Sequence, residues 1–150
     1  MASDKTPESP RTAAAAGTSL LAPDLVLGEP QMDDTHREFL ALAQLVAHSP
    51  ATALAPAMQE LFEHTREHFS SEESRMQQLG HPLLGEHRAD HQRILGDMER
   101  LCQRAEAGRG QMARAWVSDN LMEWFAAHAR TMDSALAADM QRGAKDNAEN

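Results

Sequence analysis

His87 and His91 interrupt an apolar stripe that steps by three and four residues through Leu84, Ile94, Met98, Leu101 and Ala105. A stripe of that period is the inner face of an α-helix. Both imidazoles are therefore carried inside if the stripe is buried. Burying titratable groups without partners costs kilocalories per mole each, so the fold of this chain has to supply something that satisfies them. Residues four apart on a helix project from adjacent turns toward one point. That is the geometry of a chelating pair.

The same pattern recurs in three other segments. His68 and Glu72 are also four apart, in a stripe of Met58, Leu61, Thr65 and Met76. His36 shares a face with Phe39, Leu42 and Val46, and His128 one with Met112, Val117, Leu121, Trp124 and Leu136. The periodicity predicts four helices. The first opens near Asp34, with Thr35 and Glu38 placed for a capping box, and ends at Ser49-Pro50. The second runs from about Ala55 to Gln78, with Pro56 in its first turn and Gly80-His81-Pro82 closing it. The third reaches Gly108, and the fourth follows Gly110. Four helices with short connections give an all-α, antiparallel up-down-up-down bundle, with the histidines at one level of its core.

Composition limits what such a bundle does. With 14 basic and 23 acidic residues and a net charge of -9, the chain lacks the Lys/Arg clusters that a phosphate backbone or an anionic membrane selects. The one cysteine, Cys102, lies in the apolar stripe of the third helix and is expected to be core packing, with no disulfide and no thiolate metal site. The start of the chain has no signal-peptide pattern, and no segment is apolar for the ~18 residues a membrane span needs. The expected location is cytoplasmic. Residues 1–23 and 143–150 are rich in small and polar residues without an apolar period. They are expected to be disordered ends around a domain at 24–142.

Five imidazoles with two carboxylates, Glu72 and the Asp133 that follows His128, are too many ligands for one tetrahedral zinc ion and too nitrogen-rich for calcium or magnesium. Two five- or six-coordinate ions fit better, and imidazole with carboxylate suits iron, with manganese remaining open.

At these residues the chain resembles the hemerythrins, and in particular the short single-domain bacterial ones. The resemblance covers about 110 residues and rests on Leu27-Gly28-Glu29-Pro30-Gln31-Met32-Asp33-Asp34-Thr35-His36-Arg37-Glu38-Phe39, on His64-Thr65-Arg66-Glu67-His68-Phe69-Ser70-Ser71-Glu72-Glu73 followed by Met76, on His87-Arg88-Ala89-Asp90-His91, and on Trp124-Phe125-Ala126-Ala127-His128 with Asp133. It implies that His87, His91 and His128 bind one iron and His36 and His68 the other, with Glu72 and Asp133 bridging. The resemblance further implies a bridging oxo or hydroxo that completes a pair of non-heme irons, and an open position for dioxygen on the iron with two histidines. The bundle topology rests partly on this resemblance as well.

The resemblance also assigns Asp133, since it lies five residues after His128, about 140° round an ideal helix, and spacing alone nominates Met132. A local π-type bulge reconciles the two. Phe39, Trp124 and Phe125 are placed to line an apolar ligand pocket. Glu73, about 100° from Glu72, reads as a solvated charge. His64, one turn before His68, reads as a residue beside the cluster, with an alternative ligand or proton source as its sharper roles. His48 and His81 adjoin loop signals and read as surface residues.

A binding protein is the expectation: a di-iron carrier that stores, delivers or buffers dioxygen. The enzymatic alternative is a di-iron oxidase or peroxidase. A histidine-rich set favours reversible binding, because the ferritin-like Glu and Glu-x-x-His pairs are missing. A sensor of oxygen, nitric oxide or peroxide is the third possibility.

Overall fold

The computed structural model describes residues 20–150. Among them are four long helices, a short 3₁₀ turn at Pro23–Leu25 and no strand. Helix α1 is Pro30–His48, α2 is Ala51–Leu79 and α3 is Leu84–Glu106. Helix α4 covers residues 111–148 and consists of α-helical Gln111–Trp116, Met122–His128 and Ser134–Ala148 with π-helical Val117–Leu121 and Ala129–Asp133 between them.

The ends of the helices differ from the sequence expectation for local reasons. Helix α1 starts at Pro30, not near Asp34, because proline at the first helical position loses no hydrogen bond and brings the right φ. The capping box at Thr35 and Glu38 does not form; the Thr35 hydroxyl donates back to the Gln31 carbonyl at 2.9 Å. Asp33 secures the entry instead, accepting the backbone N–H of Leu27 at 2.8 Å and of Gly28 at 3.1 Å. Helix α2 starts at Ala51, directly after Pro50, so Pro56 sits in its second turn. Pro56 lacks the N–H that would serve the Thr52 carbonyl, but both residues are on the exposed side, where water takes its place.

Gly80 ends α2 in the left-handed region at φ 61°, with its N–H bonded to the Gln77 carbonyl and the His81 N–H to the Met76 carbonyl. This double bond pattern closes a helix when the residue after it tolerates positive φ. A Cβ at Gly80 would meet nothing within 4 Å, so Gly80→Ala should cost only the backbone strain, about 1–2 kcal/mol. Urea unfolding should show a lower midpoint with an unchanged slope.

Helices adjacent in sequence pack on each other, and the Val117–Leu121 segment of α4 returns to α1 to close the bundle. Direction follows from the smaller apolar cluster, where Met32 at the start of α1 meets Met76 at the end of α2, with Leu84 at the start of α3 and Leu136 late in α4. Starts and ends alternate, so the helices run up-down-up-down. The larger cluster, from Phe39 and Val46 through Leu61, Ile94 and Met98 to Leu121 and Phe125, fills the other end. Between the two lies a layer of buried titratable side chains. Each fully buried Leu, Met or Phe contributes about 1.5–3 kcal/mol, and two such apolar layers offset the cost of enclosing that polar one.

Three other expectations change. Met112 is 57 % exposed, and Ala113 takes the inward position at the start of α4. Helix α4 continues through Gly143 to Ala148, where the composition suggests a disordered tail. Leu21 and Leu25 are buried in the larger cluster, so packed structure begins before residue 24; the rest of the expected disordered extension, residues 1–19, lies outside the described residues. No helix of the described residues is long and apolar enough to cross a membrane.

Candidate metal centre

All seven candidate ligands are buried and meet in the polar layer: His36 from α1, His68 and Glu72 from α2, His87 and His91 from α3, His128 and Asp133 from α4. The helical period of the first three helices suffices to aim their ligands inward. In α4 the π-helical turn at Ala129–Asp133 supplies what an α-helix does not: with i→i+5 bonding, the fifth residue after His128 comes back to the same face. Met132 is turned partly outward.

The donor atoms fall into two sets that share Glu72, and Asp133 of the first set also turns an oxygen to His36 of the second. Glu72 turns Oε1 toward His68 Nε2 at 2.5 Å and His36 Nε2 at 3.7 Å, and Oε2 toward the Nε2 atoms of His87 and His91, each at 3.3 Å. Asp133 turns Oδ2 toward His36 Nε2 at 3.2 Å, and Oδ1 toward the Nε2 atoms of His87 and His128, each at 3.1 Å. One group is thus Glu72, His87, His91, His128 and Asp133, the other His36, His68 and Glu72.

These N···O approaches are as short as ion pairs, yet His36 Nε2, Glu72 Oε2 and both Asp133 oxygens have no hydrogen-bond partner in the protein. Distance and hydrogen-bond geometry disagree because the atoms converge on shared points rather than along donor directions. The Nε2 atoms of His87 and His128 are 3.1 Å apart and those of His91 and His128 3.3 Å. Lone pairs packed this way in a dry core need a cation.

Protons compete for that role. Burial opposes charging His36 and His87, but the Asp133 and Glu72 carboxylates close by outweigh it and raise both to about 9. His128 is raised against the same burial cost, chiefly by Asp133. Glu72 and Asp133 are held well below the usual carboxylate range despite burial, because imidazoles surround them. The layer is built to hold positive charge, and neutral imidazole nitrogen with carboxylate oxygen is a donor set that suits iron.

Two carboxylates that spacing does not reveal orient two rings of the three-histidine set, those of His91 and His128. His91 Nδ1 donates to Glu73 at 3.0 Å, and the Arg88 guanidinium holds the other Glu73 oxygen at 3.1 Å. Glu73 is therefore not the solvated charge its angle beside Glu72 suggests; it reaches across to α3. Asp90 accepts from His128 Nδ1 at 2.8 Å and from the Trp124 indole at 2.9 Å, while Arg93 donates to its other oxygen. Asp90 stays ionised: hydrogen bonds from His128 and Trp124 outweigh its partial burial and lower its pKa. Protonated Nδ1 atoms leave the Nε2 lone pairs facing the centre.

Aromatic rings pack round the imidazoles. Phe39 and Phe125 lie against the two-histidine set, Phe125 edge-on to His36 at 5.1 Å and Phe39 at 6.4 Å from His68. Trp124 does not join them; it stacks on His128 at 4.5 Å and is tied to Asp90. Phe69, which its place beside His68 does not single out, stacks on His91 at 3.7 Å with the planes 3° apart.

His64 stands outside both donor groups. It is half-buried, with its ring 6.2 Å from that of His68 and Nδ1 3.9 Å from Glu38, and it lines a cleft of about 240 Å³ whose walls include His68 and Glu72. His48 is exposed, as its loop suggests, and bonds Gln44. His81 is buried, contrary to the surface position its loop suggests: the turn after Gly80 tucks it in, where Nδ1 accepts the Leu83 N–H and Nε2 lies 3.2 Å from Asp139. Cys102 is buried, with its thiol pushed up to about 11 by burial and nearby Glu106, Glu63 and Glu99.

The family model for the hemerythrin HHE cation binding domain matches residues 28–139 of the chain. A bacteriohemerythrin of Ralstonia nicotianae is 32 % identical over 120 residues, which cover 79 % of this chain and 87 % of that protein. No solved structure is found to match.

Proposed function

The chain belongs to the hemerythrin family, and from that premise we propose that it binds dioxygen reversibly at a carboxylate-bridged pair of non-heme irons. One observation carries the proposal: the two donor sets share Glu72, Asp133 also turns an oxygen to His36 of the smaller set, and the imidazoles are unequal in number, three against two. His87, His91 and His128 would hold one iron, His36 and His68 the other, with Glu72 and Asp133 spanning both. When bound, the ferrous pair supplies the electrons that make dioxygen binding favourable.

The chain's own residues do the rest. The set with two imidazoles leaves more room for an external ligand, and the rings of Phe39 and Phe125 beside it limit water there. Glu73 and Asp90 keep His91 and His128, on the opposite side, in one tautomer. Burial of the layer keeps stray protons from the bound ligand, a condition for release of oxygen unchanged.

The test is oxygenation of the anaerobically reduced, iron-loaded protein. A visible absorption band should rise with oxygen and fall when the oxygen is removed. Peroxide in solution, or oxidation that argon does not reverse, would instead identify an oxidase. The cleft favours that second reading, since His64 is an imidazole within reach of solvent near His68. Accordingly, His64→Leu should slow irreversible oxidation of the reduced protein several-fold; an unchanged rate removes His64 from any proton path.

A further inference from the structure

We propose that the two cation positions fill in a fixed order, the three-histidine position first and tightly, the two-histidine position second and exchangeably. The inference rests on the site assignment above, but not on what the loaded site binds.

Charge gives the first reason. The layer holds two carboxylates, Glu72 and Asp133, and five imidazoles that are neutral when ligating. A first divalent cation entering beside His87, His91 and His128 meets three nitrogens and an oxygen from each carboxylate, and its +2 cancels their -2. A second ion, beside His36 and His68, finds only the opposite oxygens of the same two carboxylates. It enters a neutralised site and is repelled by the first ion at short range in a low-dielectric core. The reverse order is less favourable, because the first ion would then start with one nitrogen fewer.

Preorganisation gives the second reason, and it is independent of charge. His91 and His128 have Nδ1 tied to Glu73 and Asp90, which fixes their rings and makes their Nε2 atoms more basic. The Nδ1 atoms of His36, His68 and His87 make no hydrogen bond in the buried layer, so two of the three rings of the first set are held this way and neither ring of the second. Access is the third: His68 and Glu72 form part of the wall of the open cleft, whereas His87, His91 and His128 do not. The later ion is the one with a path to solvent.

Titration of the metal-free full-length protein with Co²⁺ under argon, followed by calorimetry and by cobalt visible absorption, reads the order directly. Two steps are expected, the first at least about tenfold tighter, and brief exposure to a chelator should leave a one-ion species. Asp90→Asn should weaken the first step about tenfold or more and shift its visible spectrum. His68→Gln should abolish the second step and leave the first. A single step for both ions, or Asp90→Asn weakening the two steps equally, overturns the proposal. Because no oxygen is present, one-step loading by a protein that still oxygenates reversibly would sink the order alone, and ordered loading without oxygenation would sink only the carrier reading.

Discussion

Removing the bound cations should lower the melting temperature by about 15 °C or more. An ion present at a thousand times its dissociation constant stabilises the folded state by about 4 kcal/mol, and two ions give roughly twice that. One kcal/mol moves the melting temperature of a chain this size by about 2–4 °C. The loss should also depend on pH, because protons are then the only charges that can quiet Glu72 and Asp133. His36 and His87 are raised to about 9, above an ordinary histidine near 6.5. Their contribution is fully present below about 6.5 and is lost as pH rises through 9. The two carboxylates are depressed, so theirs is present above about 4 and lost as pH falls. Chelated protein should therefore be most stable between about pH 5 and 6.5 and clearly weaker at pH 9. Loaded protein should change little from pH 7 to 9, since the cations replace those protons. Melting curves at pH 6 and 9, with and without chelator, check this; chelated protein equally stable at both would contradict it.

Such a balance is partly legible in the residues alone. His36, His68, Glu72, His87, His91 and His128 interrupt apolar stripes of helical period, and a regular helix converts that spacing into a shared direction. Asp133 escapes the same logic because Ala129–Asp133 is π-helical, and an inserted residue is invisible to a template of 3.6. Glu73 and Asp90 escape it for another reason. Each points off its own helix's inner face yet meets an imidazole on a neighbouring helix, 18 and 38 residues away. Contacts of that kind depend on how far helices are rotated against one another, which periodicity leaves open. His81 misleads because Gly-His-Pro marks a turn correctly but does not say which way the turn folds; here it folds onto Asp139. The helix starts are legible only roughly, since Pro30 and Pro50 set them more firmly than the polar residues placed for a capping box.

Asp133→Ala should reduce the cations retained after dialysis from two per chain to one or none. The side chain meets three of the five imidazoles, Oδ1 with His87 and His128 and Oδ2 with His36, so its loss removes an oxygen from both positions at once. Loss of a group that merely orients a ligand costs about 10–100-fold in affinity; a shared carboxylate should cost at least a hundredfold at the weaker position. Placing the carboxylate one residue earlier, as Met132→Asp with Asp133→Ala, should not restore binding, because the π turn that carries position 133 inward leaves 132 half-exposed. The chelated variant supplies an internal check on the same physics. Without Asp133 the acceptor that most raises His36 and His87 is gone, so its stability should fall less between pH 6.5 and 9 than that of the chelated parent. Two ions retained at undiminished affinity by Asp133→Ala would show that Glu72 alone joins the two sets.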